Sequence, residues 1–176
     1  MNQTKLKSYL EVATNVAVLL VALAVLSTFA WNYFGRSPTP QLQAGFQKGQ
    51  TFAQVPGVNY DNSPQTLLIA MSIRCHYCTE SLPFYKQLAE AQRTSGRETH
   101  VVAIFPNSVA EVRQYVQQNN LDLETIAGLD FGALNISGTP TAVLIDESGK
   151  IRDFWLGKPP QDKEQQIMKA VGEPEE

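Results

Sequence analysis

Gln65 to Cys78 reads QTLLIAMSIRCHYC, and its two halves belong to different secondary structures. Gln65 to Ser72 is a continuous apolar run behind Pro64, the pattern of a short strand buried on both faces. Glu80 to Ala91 then carries Leu82, Tyr85, Leu88 and Ala91 at near-helical spacing, so strand gives way to helix around Arg74 to Thr79. Cys75-His76-Tyr77-Cys78 therefore lies where a strand turns into a helix. Two residues between the cysteines let both sulfurs share one helical turn and close a small, reversible disulfide. At a helix start, unpaired N–H groups and the positive end of the dipole stabilise a thiolate on the first cysteine. Cys75 is then the attacking sulfur and Cys78 the resolving one. Arg74 and His76 flank Cys75, and positive charge there lowers its thiol pKa further.

Downstream, His100 to Pro106 (HVVAIFP) is the next strand. Ser108 opens a capping box with Glu111, and Val109, Val112 and Val116 stripe a second helix that ends near Asn119-Asn120. A short strand with a weaker pattern falls within Leu121 to Ala127. Thr141 to Asp146 and Ile151 to Leu156 flank Glu147-Ser148-Gly149-Lys150, a hairpin signature with glycine in the turn. Gln161 to Val171, acidic at its start and followed by Gly172, is a capped terminal helix. A βαβ unit followed by an antiparallel hairpin and a last helix predicts an α/β fold with a mixed sheet and helices on both of its faces. Pro83 reads as a kink in the first helix.

Upstream, Val12 to Gly35 contains no charged residue, and Val16 to Trp31 (VAVLLVALAVLSTFAW) is interrupted only by Ser27 and Thr28. About 20 helical residues cross a hydrocarbon core of about 30 Å. Lys5 and Lys7 precede the run and Arg36 follows it, so the positive-inside bias places the N-terminus in the cytoplasm and the rest outside. Trp31 and Tyr33 then sit at the outer interface. A cleaved secretory signal and a buried core helix are the alternatives. The first is disfavoured by the length of the run and by a poor small-x-small site at Thr28-Phe29-Ala30, the second by the lack of a polar stripe. The resulting organisation is a cytoplasmic N-terminus over 1–11, a transmembrane helix over 12–35, a tether over 36–44 built on Ser37-Pro38-Thr39-Pro40-Gln41, and a folded domain over 45–176.

Composition agrees with one domain plus an anchor. The chain has 176 residues, 43% of them hydrophobic and only 18% charged, which dilutes the charge as a single long apolar stretch does and excludes a disordered chain. With 14 basic against 17 acidic side chains and no basic cluster, nucleic acid is not an expected partner. Two cysteines cannot make a disulfide scaffold. A zinc half-site needs two further ligands, and the sequence offers only His76 and His100, so no metal centre is expected. A purely structural disulfide is disfavoured because so short a ring gains little from loop closure. A thiol peroxidase pattern before Cys75 is absent, since Leu68 and Ser72 stand where its proline and threonine belong.

Taken together, the chain from about Gly45 to Val171 resembles thioredoxin-fold thiol-disulfide oxidoreductases of the membrane-anchored TlpA/ResA-like branch. The residues that carry the resemblance are Cys75-His76-Tyr77-Cys78 after a buried strand, Pro83, Ser137-Gly138-Thr139-Pro140-Thr141, the Asp146 to Lys150 turn and Trp155-Leu156-Gly157. The resemblance implies a thioredoxin-like mixed sheet flanked by helices, behind an N-terminal transmembrane helix in the bacterial inner membrane, with the domain in the periplasm. It implies a cis Pro140 against the cysteine pair, leaving Thr139 to dock an extended substrate. It further implies protein thiol or disulfide clients, a membrane or thioredoxin-like electron donor, the lipid bilayer as a partner and no cofactor beyond the Cys75-Cys78 disulfide.

Two departures alter the site. Arg74 replaces the tryptophan common before the first cysteine, and Ile69 occupies the position where thioredoxins bury an acid. Ser81 stands where the branch often has an acid, with Glu80 one position earlier, either as its substitute or as a solvated helix-start acid. The resemblance favours the reductase direction, whereas stabilising the Cys75 thiolate raises the potential and makes the pair more oxidising. A rival from another class is a Cu(I)-handling protein that uses Cys75, Cys78 and a nearby histidine. His100 and Trp155 carry no assigned role beyond surface and packing.

Overall fold

The computed structural model describes residues 3–34, 45–94 and 99–172, with side chains from residue 13 to 28 and throughout the latter two stretches. The chain separates into two compact units, Met1–Gln41 and Leu42–Glu176. The first contains α1 (Gln3–Phe34), a continuous helix of 32 residues that covers both the expected span and most of the segment before it. Its large apolar side chains are exposed all round, from Val16 at 49% to Leu26 at 65%. The Thr28 hydroxyl donates to the Val25 carbonyl at 2.8 Å and so satisfies itself within the helix. Among the residues described with side chains, no helix is long and apolar enough to cross a membrane. The expected tether over 36–44 and the side chains of Lys5, Lys7, Trp31 and Tyr33 lie outside the described residues.

The second unit is built on a five-stranded sheet in the order β3-β2-β1-β4-β5. The strands are β1 (Gln65–Ala70), β2 (Thr99–Ile104), β3 (Glu124–Ile126), β4 (Thr141–Asp146) and β5 (Ile151–Leu156). β1, β2 and β3 run parallel, β4 is antiparallel to β1, and β5 returns antiparallel to β4. The helices are α2 (His76–Glu80), α3 (Leu82–Thr94), α4 (Val109–Asn119) and α5 (Gln161–Gly172). β1 is buried along its whole length, as its unbroken apolar run requires.

Alternation along the strands divides the interior into two cores. Leu67 and Ile69 of β1 join Val101 and Ala103 of β2, Leu144 of β4, Leu88 of α3, Val112 of α4 and Ile167 of α5. Leu68, Val102 and Ile145 point the other way, onto Phe46, Phe52, Val55, Val58, Leu134 and Ile136. This corrects the expectation of helices on both faces. Both parallel crossovers, β1-α3-β2 and β2-α4-β3, step in one direction across the sheet, and right-handed crossovers that step the same way deliver their helices to the same face. Among the described residues the opposite face is covered instead by the segment from Phe46 to a short 3-10 turn at Tyr60–Asn62, and by the turn through Leu134 and Ile136. That segment also meets the start of β5. Gly49 N–H donates to the Ile151 carbonyl and Ile151 N–H to the Gln50 carbonyl, each at 2.8 Å, and Lys48 pairs with Asp153 at 2.9 Å.

Local chemistry fixes the ends of these elements. Ser108 and Glu111 form the expected capping box of α4, and Asn120 closes that helix in the left-handed conformation at φ 49. The β4-β5 turn is held by Asp146, whose Oδ1 accepts from the N–H groups of Ser148 and Lys150 at 2.9 Å, while Gly149 supplies a φ of 78. Burial pushes the Asp146 carboxyl up, but the bonds from Ser148 and Lys150 outweigh it and hold the carboxyl below its ordinary value. The weak-pattern strand is real but short, only Glu124–Ile126. Pro83 does more than kink a helix. α2 ends at Glu80, Ser81 caps it, and Pro83 occupies the first turn of a separate α3, where its missing N–H leaves no bond unmade.

Candidate active site

β1 stops at Ala70, and Met71 N–H donates to the Ile104 carbonyl at 2.9 Å, carrying the chain just past the sheet. A turn follows in which Cys75 N–H donates to the Ser72 carbonyl at 3.1 Å and Ile73 N–H to Asn107 Oδ1 at 3.2 Å. Cys75 is the N-cap of α2, and its sulfur accepts from Cys78 N–H at 3.1 Å. The cap position demands an acceptor for an orphan N–H, and here the acceptor is sulfur. Cys75 and Cys78 are joined as a disulfide, with Cα atoms 5.2 Å apart. Their burial differs sharply: Cys78 is fully enclosed, whereas Cys75 is partly open to solvent.

Thr139 and Pro140 reach this pair from the other side of the site. The Thr139–Pro140 bond is cis. The Sγ of Cys75 lies 3.3 Å from the Thr139 carbonyl oxygen, within reach for a reduced thiol to donate to it. The Thr141 hydroxyl donates to the Gly138 carbonyl at 2.7 Å, and Gly157 N–H to the Pro140 carbonyl at 2.7 Å, so the segment is tied at both ends. Pro140 is buried and Thr139 half-buried.

The flanking residues named from the sequence are placed as follows. Arg74 is exposed and its charge acts on Glu111 at the start of α4, helping to hold that carboxyl low after the Ser108 hydroxyl and N–H have done most of the work. His76 turns along the helix to Glu80, with Nε2 2.9 Å from Oε1, and its side chain is 78% exposed. Glu80 lies at the far end of α2, not at a helix start. Its other oxygen accepts from Lys158 at 2.9 Å, and the bond from Lys158 is the main reason its carboxyl is held below the ordinary carboxylate range. A carboxylate so engaged is a poor proton acceptor for either sulfur. Ile69 is wholly buried and borders a small apolar recess with Tyr85 and Trp155. Ser81 is buried too, its hydroxyl donating to the Tyr77 carbonyl at 2.8 Å.

His100 lies away from this cluster on β2, with Nε2 2.8 Å from Glu124. Among the described residues no group of three or more His, Cys, Asp or Glu side chains is placed to hold a metal ion. Lys158 and Asn107 are the site neighbours that sequence reasoning missed. Lys158 carries no local signal beyond following Gly157, and Asn107 none beyond standing between a strand and a capping box.

No family model and no curated protein sequence matches the chain. Solved structures do. A candidate thiol:disulfide interchange protein DsbE from Chlorobium tepidum is 24% identical and covers 73% of this chain and 100% of its own, with a TM-score of 0.60. The thioredoxin domain of a thiol-disulfide oxidoreductase from Bacteroides vulgatus is 14% identical, covering 72% and 99%, with a TM-score of 0.59. StoA from Bacillus subtilis is 19% identical, covering 61% and 81%, with a TM-score of 0.51. The second unit therefore has the thioredoxin fold, and its Cys75-Cys78 pair sits beside the cis Thr139–Pro140 bond of that fold.

Proposed function

We propose that this thioredoxin-fold chain is a thiol-disulfide oxidoreductase that acts on protein thiols and disulfides, with Cys75 as the attacking sulfur and Cys78 as the resolving one. The observation that carries this reading is the asymmetry of the pair. Cys75 is open to solvent, capped by Cys78 N–H at 3.1 Å, and within 3.3 Å of the Thr139 carbonyl, while Cys78 is enclosed. The cap N–H and the helix start stabilise negative charge on Cys75, which makes it the sulfur of the reduced pair suited to attack as a thiolate.

In the reductase direction the Cys75 thiolate attacks one sulfur of a client disulfide, forming a mixed disulfide and releasing a client thiolate that takes up a proton. Cys78 supplies that proton as it attacks the Cys75 sulfur. This breaks the mixed disulfide, releases the second client thiolate and forms Cys75-Cys78. Two electrons have passed from chain to client, and a donor dithiol restores the reduced pair by the same two exchanges in reverse. The Thr139 backbone beside Cys75 docks the client segment, Pro140 holds that backbone outward, and Arg74 and His76 shape the surface around the sulfur. No cofactor other than the disulfide takes part.

The reading includes the anchor. From Val16 to Leu26 α1 turns apolar side chains outward all round, and the Thr28 hydroxyl is satisfied within the helix, as lipid requires. With Lys5 and Lys7 in its first two turns, the N-terminus faces the cytoplasm of a bacterial inner membrane, residues 36–44 serve as the tether, and the domain from 45 onward works outside, supplied with electrons by a membrane or thioredoxin-like donor.

Cys78→Ser tests the chemistry directly. It removes the resolving sulfur, so the full-length protein is expected to accumulate a disulfide-linked complex through Cys75 that dithiothreitol releases, and Cys75→Ser should abolish it. Catalysed insulin reduction by the parent but by neither variant would complete the case. Absence of any mixed disulfide with Cys78→Ser would overturn it.

A further inference from the structure

Two chains of contacts join the dithiol helix to the segment that holds Thr139 and Pro140, one at each end of the helix. At the N-terminal end the link is short: the Cys75 sulfur lies against the Thr139 carbonyl at 3.3 Å. At the other end, Glu80 is the last residue of α2 and accepts from Lys158 Nζ at 2.9 Å. Lys158 follows Gly157, whose N–H donates to the Pro140 carbonyl at 2.7 Å. The circuit thus runs from Cys75 through α2 to Glu80, across to Lys158, back through Gly157 to Pro140 and Thr139, and so to the sulfur again. Glu80 and Lys158 are 78 residues apart in sequence, and theirs is the ion pair that carries this circuit from α2 to the segment after β5.

Such an exposed pair contributes little to global stability, which leaves alignment as its use. Glu80 has a second tie, to His76 at 2.9 Å one turn back, so the carboxylate is fixed from both sides and Lys158 is fixed with it. An extended client must meet the Cys75 sulfur and the Thr139 backbone together, and a small displacement of one from the other is costly in rate.

Resting on the oxidoreductase reading, we propose that Lys158 is a positioning residue for exchange: through Glu80 it pins the C-terminal end of α2 to the Pro140 segment and keeps Cys75 in register with the Thr139 docking backbone. It touches no reacting atom.

The test compares two probes on the full-length, reduced protein in detergent. A peptide disulfide of extended sequence needs sulfur and docking backbone together, whereas iodoacetamide reports on Cys75 alone. Lys158→Gln is expected to slow mixed-disulfide formation with the peptide about two- to fivefold, the scale that one exposed ion pair can supply and well short of the roughly hundredfold of a full ångström's misplacement. The rate with iodoacetamide should stay unchanged. Lys158→Arg should retain the peptide rate, and Glu80→Gln with Lys158→Gln should be no slower than Lys158→Gln alone. Unchanged peptide rates in Lys158→Gln, or equal loss with both probes, would overturn the positioning role. If the parent itself alkylates at Cys75 yet does not reduce the peptide disulfide, and Cys78→Ser forms no mixed disulfide with it, the oxidoreductase reading fails and takes this role with it.

Discussion

Cys78 N–H donates to the sulfur of Cys75 at 3.1 Å, so the first cysteine caps the helix that carries the second. The same atom closes a helix terminus and, in the proposed mechanism, attacks the client, so that local folding and chemistry meet at one position.

Serine and alanine at position 75 separate those two duties. Neither variant can form the disulfide, but serine keeps an acceptor for the Cys78 N–H and alanine does not. Cys75→Ala should be less stable than Cys75→Ser by about 1 kcal/mol. Urea unfolding checks this as a shift of midpoint at constant slope. Equal midpoints would show that the cap contributes nothing.

Glu111 gives a pH signature. The Ser108 hydroxyl, then the Ser108 N–H, hold its carboxyl below the ordinary 4.5. A depressed folded value means that its contribution is complete above the unfolded pKa and is lost as pH falls through the folded one. The stability difference between the parent and Glu111→Gln should therefore be constant from neutral pH down to about 5 and shrink steadily below it. Thermal unfolding across that range reads the trend, and a difference that grows on acidification would contradict it.

Gln65 is a polar residue in the core, with only 2% of its surface exposed. Its amide donates to the Thr99 hydroxyl at 2.7 Å and to the Ala170 carbonyl, joining β1, β2 and α5. Gln65→Ala leaves the buried Thr99 hydroxyl and the half-buried Ala170 carbonyl without that donor and opens a void, so it should cost about 3 kcal/mol. Denaturant titration measures the loss, and amide exchange near Ala170 should speed up alongside it.

Arginine in the middle of α1 tests the anchor. Leu20→Arg places a charge that costs about 3 kcal/mol at a helix centre in lipid. The fraction of protein retained in the membrane pellet after alkaline extraction should fall accordingly. Full retention would remove the bilayer from the account of this helix.

The fold was legible where a single local rule decides. The apolar run over Gln65 to Ala70, the Ser108 and Glu111 box and the Gly149 turn each contain their own explanation, and each stands where it was expected. The two cysteines were legible from their spacing at a strand-to-helix turn, whereas Thr139 and Pro140, 64 residues on, were joined to them only by a resemblance. What escaped depends on partners distant in sequence. Phe46, Phe52 and Val55 look like scattered apolar residues until the second face of the sheet gives them a place. Helices on both faces were expected because nothing local states which way a crossover steps. Glu80 reads as a helix-start acid only while Lys158 is out of view.

The margins of the sheet have a bearing on life in a crowded layer. β3 is a three-residue stub, and β5 is met at its first rung by the stretch around Gly49 and Gln50, with Arg152 and the Lys48–Asp153 pair beyond. Neither border offers a long, uncharged ladder onto which another polypeptide could add a strand. Strand addition between neighbouring copies of the chain is thus disfavoured at both borders among the described residues.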